Sequence, residues 1–160
     1  MLRLAVHPLS DPVSRGLERA LQLDILARYG GDEPEEPHDA DEFTPPAGVF
    51  VVAWLEVDGG DAVPVGCGGI RGISADGRVC ELKRMYVDPD ARGRGVARAL
   101  LERLEDEADG LGFAEVWLET GTEQPEAMAL YESAGYEPIA DFGRYRGEPK
   151  VRSYGKRISG

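Results

Sequence analysis

Glu81-Leu82-Lys83-Arg84-Met85-Tyr86-Val87-Asp88-Pro89-Asp90-Ala91-Arg92-Gly93-Arg94-Gly95-Val96-Ala97-Arg98-Ala99-Leu100-Leu101 is the stretch from which the rest of the chain is read. Leu82, Met85 and Val87 mark an apolar strand that Asp88-Pro89 stops, because proline cannot donate to a sheet ladder. An amphipathic helix follows the glycines. The turn between them, Arg92-Gly93-Arg94-Gly95-Val96-Ala97, suits a phosphate group. Glycines let the backbone come close to a ligand, the first N–H groups of a helix have no internal partner, and the helix dipole favours an anion there. Arg92, Arg94 and Arg98 add charge that can pair with phosphate oxygens. Taken alone, such a turn also fits a plain helix start with solvated arginines.

Working outward, the chain reads as one domain over residues 1–160, long enough for a sizeable core and short for two ordinary domains. With 42% hydrophobic and 30% charged residues it has the composition of a soluble globular protein. No apolar run reaches the roughly 20 residues of a membrane helix and the start lacks a signal segment, so the expectation is a cytoplasmic protein that does not engage membranes. A net charge of −12 argues against a nucleic-acid partner. The charge is uneven: residues 83–103 hold six basic and three acidic groups, and 142–160 hold six and one. Cys67 and Cys80 show no CxxC spacing and read as buried thiols. With only His7 and His38 besides, neither a metal site nor a Ser-His-Asp triad is supported.

Leu2 to Val6 alternates as a first strand. Asp11 and Pro12 start a helix with Val13, Leu17, Ala20, Leu21 and Leu26 at helical spacing, closed by Gly30-Gly31. Residues 32–42, with seven acids, two prolines and His38, read as a surface loop. Strands over 49–57 and 62–73 are joined by Asp58-Gly59-Gly60-Asp61, and Asp76-Gly77 leads into the strand 79–87. After the central turn come a helix through Leu111, a strand over 114–120, a short helix from Pro125 to Gly135, and terminal strands over 136–139 and 151–158. Periodicity alone supports a mixed sheet covered by helices.

Two segments carry a resemblance. Arg92 to Ala97 resembles the Gln/Arg-x-x-Gly-x-Gly/Ala signature of GNAT-type N-acetyltransferases, with Gly95 and Ala97 at the small positions, and the preceding Arg-Met-Tyr-Val resembles that family's acetyl-CoA strand. Gln124 to Tyr136, with Ala127, Leu130, Tyr131 and Gly135, resembles its Asn-x-x-Ala-x-x-Leu-Tyr-x-x-x-Gly-Phe motif. Residues 66–140 match closely and the remainder by pattern. The resemblance implies an α/β, single-domain GNAT-like fold with a mixed, mostly antiparallel sheet splayed at the cofactor strand. It further implies acetyl-CoA as cosubstrate without a metal, a small-molecule or peptide amine as acceptor, and a possible homodimer.

It also implies residue roles. Met85, Tyr86 and Val87 would pair with the pantetheine through their backbone, while the side chains of Met85 and Val87 serve the core. Arg92, Gly93, Arg94, Gly95, Val96 and Ala97 would hold the diphosphate. Gln124, where the family carries asparagine, stands as a further cofactor contact on a longer stem. An amine of pKa about 10.4 needs a base; Glu81 matches the family position, and Glu119 on the adjacent strand is an alternative. Tyr131 matches the tyrosine that protonates the leaving thiolate, although the same position suits a packed aromatic. Backbone N–H of Met85 or Tyr86 would face the oxyanion. A catalytically silent acyl-CoA-binding module of the same fold remains the alternative. A Rossmann domain does not, since the turn comes after a meander and lacks the last glycine of G-x-G-x-x-G.

Overall fold

Asp11 caps the first helix of the computed structural model: its Oδ2 accepts from Val13 N at 2.9 Å, and Pro12, which needs no N–H partner, takes the first helical position. The structure describes residues 1–31, 38–56 and 58–159. In chain order they form β1 (Leu2–Val6), α1 (Pro12–Tyr29), β2 (Gly48–Glu56), β3 (Ala62–Gly72), β4 (Val79–Val87), α2 (Val96–Gly110), β5 (Glu115–Gly121), α3 (Pro125–Ser133), β6 (Glu137–Pro138) and β7 (Val151–Arg157). They build one seven-stranded sheet in the order β1-β2-β3-β4-β5-β7-β6. The pairs are antiparallel except β4 with β5, which run parallel as expected.

Alternation along β2 divides the core between the two faces of the sheet. Val49, Val51 and Ala53 join Ile70, Leu82, Val116 and Leu118 under the α2 stripe of Val96, Leu100, Leu101, Leu104 and Ala108. Phe50 and Val52 face the other way, with Leu17 of α1, Leu9, Phe43 and Cys67. Both cysteines are buried and free, and burial pushes the Cys80 thiol up to about 12 and that of Cys67 higher still.

The expected splay has an identifiable cause in β4. Between Cys67↔Tyr86 and Gly69↔Lys83 the β3–β4 register shifts, so that Gly68 faces both Arg84 and Met85. Arg84 takes φ 61 at this bulge, a left-handed conformation that costs an ordinary side chain about 1–2 kcal/mol. Its guanidinium turns inward, where Nε donates to Glu18 Oε2 of α1 at 3.1 Å, both side chains being buried. Glycine opposite leaves room for these side chains: a Cβ on Gly68 would meet Met85 Sδ at 2.5 Å and Leu104 Cδ1 at 2.8 Å, so both would have to shift. The β4–β5 ladder ends at Leu82↔Leu118, just before the bulge, while β5 goes on pairing with β7 as far as Gly121↔Val151. Residues 83–87 therefore leave the β5 partner and present an unpaired edge.

Two expectations change. Ala40–Phe43 of the acidic stretch is a short 3-10 helix capped by Asp39, with Phe43 buried in the core; residues 32–37 of that stretch lie outside the described residues. The strand expected over 136–139 shrinks to Glu137–Pro138, because the helix end claims Tyr136 by a bond from its N–H to Tyr131 O at 3.0 Å. The less regular stretch 151–157, in contrast, forms a full strand paired along β5.

Glu18 also accepts from Arg15 Nη1 at 2.8 Å and from His38 N at 3.3 Å, so it ties α1, the bulge and residue 38 together. Removing one partner of a buried ion pair is strongly destabilising. Glu18→Ala is expected to lower the unfolding free energy by about 3–5 kcal/mol in urea titrations; a loss below about 1 kcal/mol would show that the pair does not hold the bulge.

Candidate active site

The gap between β4 and β5 opens into a cavity of about 1060 Å³. Its floor is the edge of β4, including Met85, Tyr86 and Val87, and one end is the turn into α2, with Arg92, Gly93, Gly95, Val96 and Ala97. Gly93 and Gly95 sit at φ 80 and φ 79, and Gly95 is the left-handed N-cap of α2. No side chain caps that helix, and a Cβ placed on either glycine would meet nothing within 4 Å. Among the described residues the first turn thus lacks a side-chain cap, which leaves its amides for an anion. This cradle and the bare strand edge fit a pantetheine-linked diphosphate.

Of the predicted arginines, Arg92 lines the cavity and donates Nε to Val87 O at 3.1 Å. Arg94 is exposed and is not part of the wall, whereas Arg98 is, with Nη2 donating to Ser133 Oγ at 2.6 Å. Gln124 precedes α3 and lines the cavity; its Oε1 accepts from Tyr29 OH at 3.2 Å. That phenol in turn accepts from Glu123 N at 3.2 Å, and Arg28 pairs with Glu126, so the end of α1 is pinned to the start of α3. The α1 wall, from Leu21 to Tyr29, escaped the sequence reading because its residues look like an ordinary amphipathic helix.

Tyr131 reaches the cavity from α3 with 5% of its surface exposed and packs edge-on against Tyr136, centroids 5.7 Å apart. It is a packed aromatic that also lines the cavity. Burial raises its phenol well above the usual tyrosine value, which keeps the proton on the oxygen. Glu81 and Glu119 stand across the gap on β4 and β5, and both line the cavity. Glu81 is buried; Arg71 donates Nε and Nη2 to its Oε1 at 3.2 and 3.0 Å, and Lys83 Nζ lies 3.9 Å from Oε2. Gly143 packs directly on the Glu119 carboxylate and leaves no room for a Cβ.

Glu81 also belongs to the wall of a second cavity, of about 620 Å³. Arg71, Glu81 and Trp117 are register partners on three neighbouring strands, so their side chains share one face of the sheet. That row is set by register, which a single sequence does not display.

A parallel strand pair parted by a bulge, with a helix N-terminus at the head of the gap, defines an acyltransferase architecture, and the comparisons agree. Residues 17–136 match the acetyltransferase (GNAT) family, and the chain belongs to it. It is an enzyme of the N-acetyltransferase class. It is similar to "IAA acetyltransferase" of Azospirillum brasilense, 38% identical over 146 residues that make up 89% of this chain and 88% of that protein. Among solved structures, an acetyltransferase of the GNAT family from Staphylococcus aureus has TM-score 0.76 and 16% identity, covering 99% of this chain and 100% of its own. A Salmonella typhimurium protein solved with its cofactor acetyl-CoA has TM-score 0.72 and 18% identity, covering 100% and 95%. Among the described residues no helix is long and apolar enough to cross a membrane.

His38, on the second cavity's wall, is held well below its ordinary value, at about 3, first by burial and then by the positive charges of Arg84, Lys83, Arg71 and Arg144. With the folded value depressed, the unfolded chain takes up this proton below about pH 6.5 and the folded chain only near pH 3. Its contribution to stability is therefore complete above pH 6.5 and falls as pH drops through that window. Urea midpoints should decline less between pH 7 and pH 4 in His38→Phe than in the unsubstituted protein; equal declines would contradict the assignment.

Proposed function

We propose that the protein transfers an acetyl group from acetyl-CoA to a primary amine that attacks the thioester directly. The observation that carries this reading is the continuous path formed by the unpaired 83–87 edge and the uncapped glycine turn in one cavity with Tyr131. Acetyl-CoA supplies the activated acetyl group and a thiolate leaving group whose conjugate acid has a pKa near 8.5. Backbone groups of Met85 to Val87 pair with the pantetheine amides as an added strand would. The amides of the turn from Gly93 to Ala97, with Arg92 and Arg98 beside them, hold the diphosphate.

Glu81 takes the acceptor's proton, directly or through water; its place in the walls of both cavities supports that role, and Glu119 is the alternative across the gap. Tyr131, kept protonated by burial, donates to the departing sulfur. A backbone N–H at Met85 or Tyr86 faces the oxygen that gains charge.

Two substitutions separate binding from chemistry. Tyr131→Phe should lower kcat by about 10²–10⁴, the usual range for a positioned acid, while calorimetry gives an unchanged Kd for acetyl-CoA. Gly95→Val should do the reverse, weakening acetyl-CoA binding by about tenfold or more as the left-handed turn is lost. An unchanged kcat in Tyr131→Phe would remove that residue from the mechanism. Saturable acetyl-CoA binding with no thiol release from any amine would favour the silent binding module.

A further inference from the structure

We infer that Gln22 of α1 is a cosubstrate-binding residue whose carboxamide NH2 donates to an amide carbonyl of the pantetheine arm of acetyl-CoA. The inference rests on the acetyl-CoA reading above and adds to it a contact from the helix wall. Gln22 lines the larger cavity, yet its Nε2 is buried and has no hydrogen-bond partner among the described residues. The residue as a whole is 4% exposed. A buried amide donor left unpaired is costly, and native proteins carry few of them. At a cavity wall, a ligand can supply the missing acceptor.

The neighbours of Gln22 along α1 place it over the path of the arm. Four residues earlier, Glu18 accepts from Arg84 Nε at 3.1 Å at the bulge. Two residues later, Asp24 Oδ2 lies 4.0 Å from Arg92 Nη2 at the head of the glycine turn. These contacts bracket residues 85–91, so the helix between them passes over the stretch from the bare strand edge to the diphosphate cradle. Gln22 stands one turn beyond Glu18, about 6 Å along the axis and on the same helix face. Further on, Arg28 donates to Glu123 O at 3.0 Å and Tyr29 OH to Gln124 Oε1 at 3.2 Å, so α1 crosses the gap from β4 to the start of α3.

The chemistry of the arm selects the partner. An arm laid along β4 meets backbone on one edge only, since the β4–β5 ladder has ended at Leu82↔Leu118. Amide groups of a strand-like chain point to both sides. Those turned away from β4 need another partner in a gap walled by Leu21, Ile25, Leu26 and Leu130. Gln124, the carboxamide of the family motif, already accepts from Tyr29 OH through its Oε1, whereas Gln22 Nε2 is uncommitted. The reacting amine of an acceptor is itself a donor and does not answer an unpaired N–H; a pantetheine carbonyl does.

Gln22→Met keeps an unbranched side chain and removes the donor. Calorimetry should give a Kd for acetyl-CoA about five- to tenfold above that of the unsubstituted protein, the scale of one hydrogen bond to a buried group. The Kd for ADP, which keeps the diphosphate and lacks the pantetheine, should not change. The urea midpoint of the ligand-free variant should be equal or higher, because an unpaired donor has given way to an apolar group; a glutamine with only a structural role would lower it. In the unsubstituted protein, the Gln22 side-chain NH2 resonances should shift on saturation with coenzyme A and stay in place with ADP, a readout that does not depend on the variant folding. Unmoved resonances with coenzyme A, equal Kd values for acetyl-CoA in the two proteins, or a parallel rise for ADP would overturn the inference and leave the cofactor reading intact. A raised acceptor KM with acetyl-CoA binding unchanged would do the same. Absence of saturable acetyl-CoA binding in the unsubstituted protein would instead overturn the proposed function, and this inference with it.

Discussion

The buried ion pair between Arg84 and Glu18 is the constraint on which the active-site architecture depends. A β-bulge with a left-handed arginine is costly by itself, and so is a carboxylate taken out of water. Each offsets the other: the bulge turns Arg84 inward to Glu18, and Glu18 gains donors from Arg84, Arg15 and the His38 backbone. The ladder between β4 and β5 stops at Leu82↔Leu118, on the near side of this distortion. Past that point residues 83–87 form a strand with one edge bare, running into a helix whose first turn is uncapped. A ligand that is part peptide-like and part diphosphate has a partner for each portion along that line.

The two cavities then divide the chemistry. The larger takes walls from α1, α2 and α3 and includes the glycine turn with Arg92 and Arg98 at the helix end. The smaller lies on a face of the sheet floored by Arg71, Glu81 and Trp117. Glu81 joins them, oriented by Arg71, which is itself held by Glu42. In the proposed reaction, a base at this junction would touch an acceptor amine from one cavity as the amine approaches a thioester in the other. Tyr131 lines the larger cavity and is kept neutral by its burial, as the proposed role of complementary acid requires.

Much of this was legible in the chain because it rests on local grammar. Glycines at φ 80 and φ 79 announce the turn, Asp11-Pro12 announces α1, and the α2 stripe is a 3.6-residue pattern. The parts that were not legible depend on long-range pairing. Arg84 sits in a strand sequence like any exposed arginine, yet it is buried and paired with a glutamate 66 residues earlier. The row from Arg71 through Glu81 to Trp117 exists only once two registers are set. Arg94 shows the converse limit, since position in a motif did not bring its side chain into the wall that Arg98 reaches. His38 reads as part of a hydrophilic stretch, yet the Glu18 carboxylate and the Phe43 ring, 5.6 Å away, draw it inward.

A crystal structure of the protein with coenzyme A tests the central claim most directly. The account predicts diphosphate oxygens within about 3 Å of the backbone N–H groups that open α2, a normal hydrogen-bond distance, and pantetheine amides paired with the edge of β4 between Lys83 and Val87. A diphosphate bound elsewhere, or a pantetheine that does not enter the gap between β4 and β5, would contradict it.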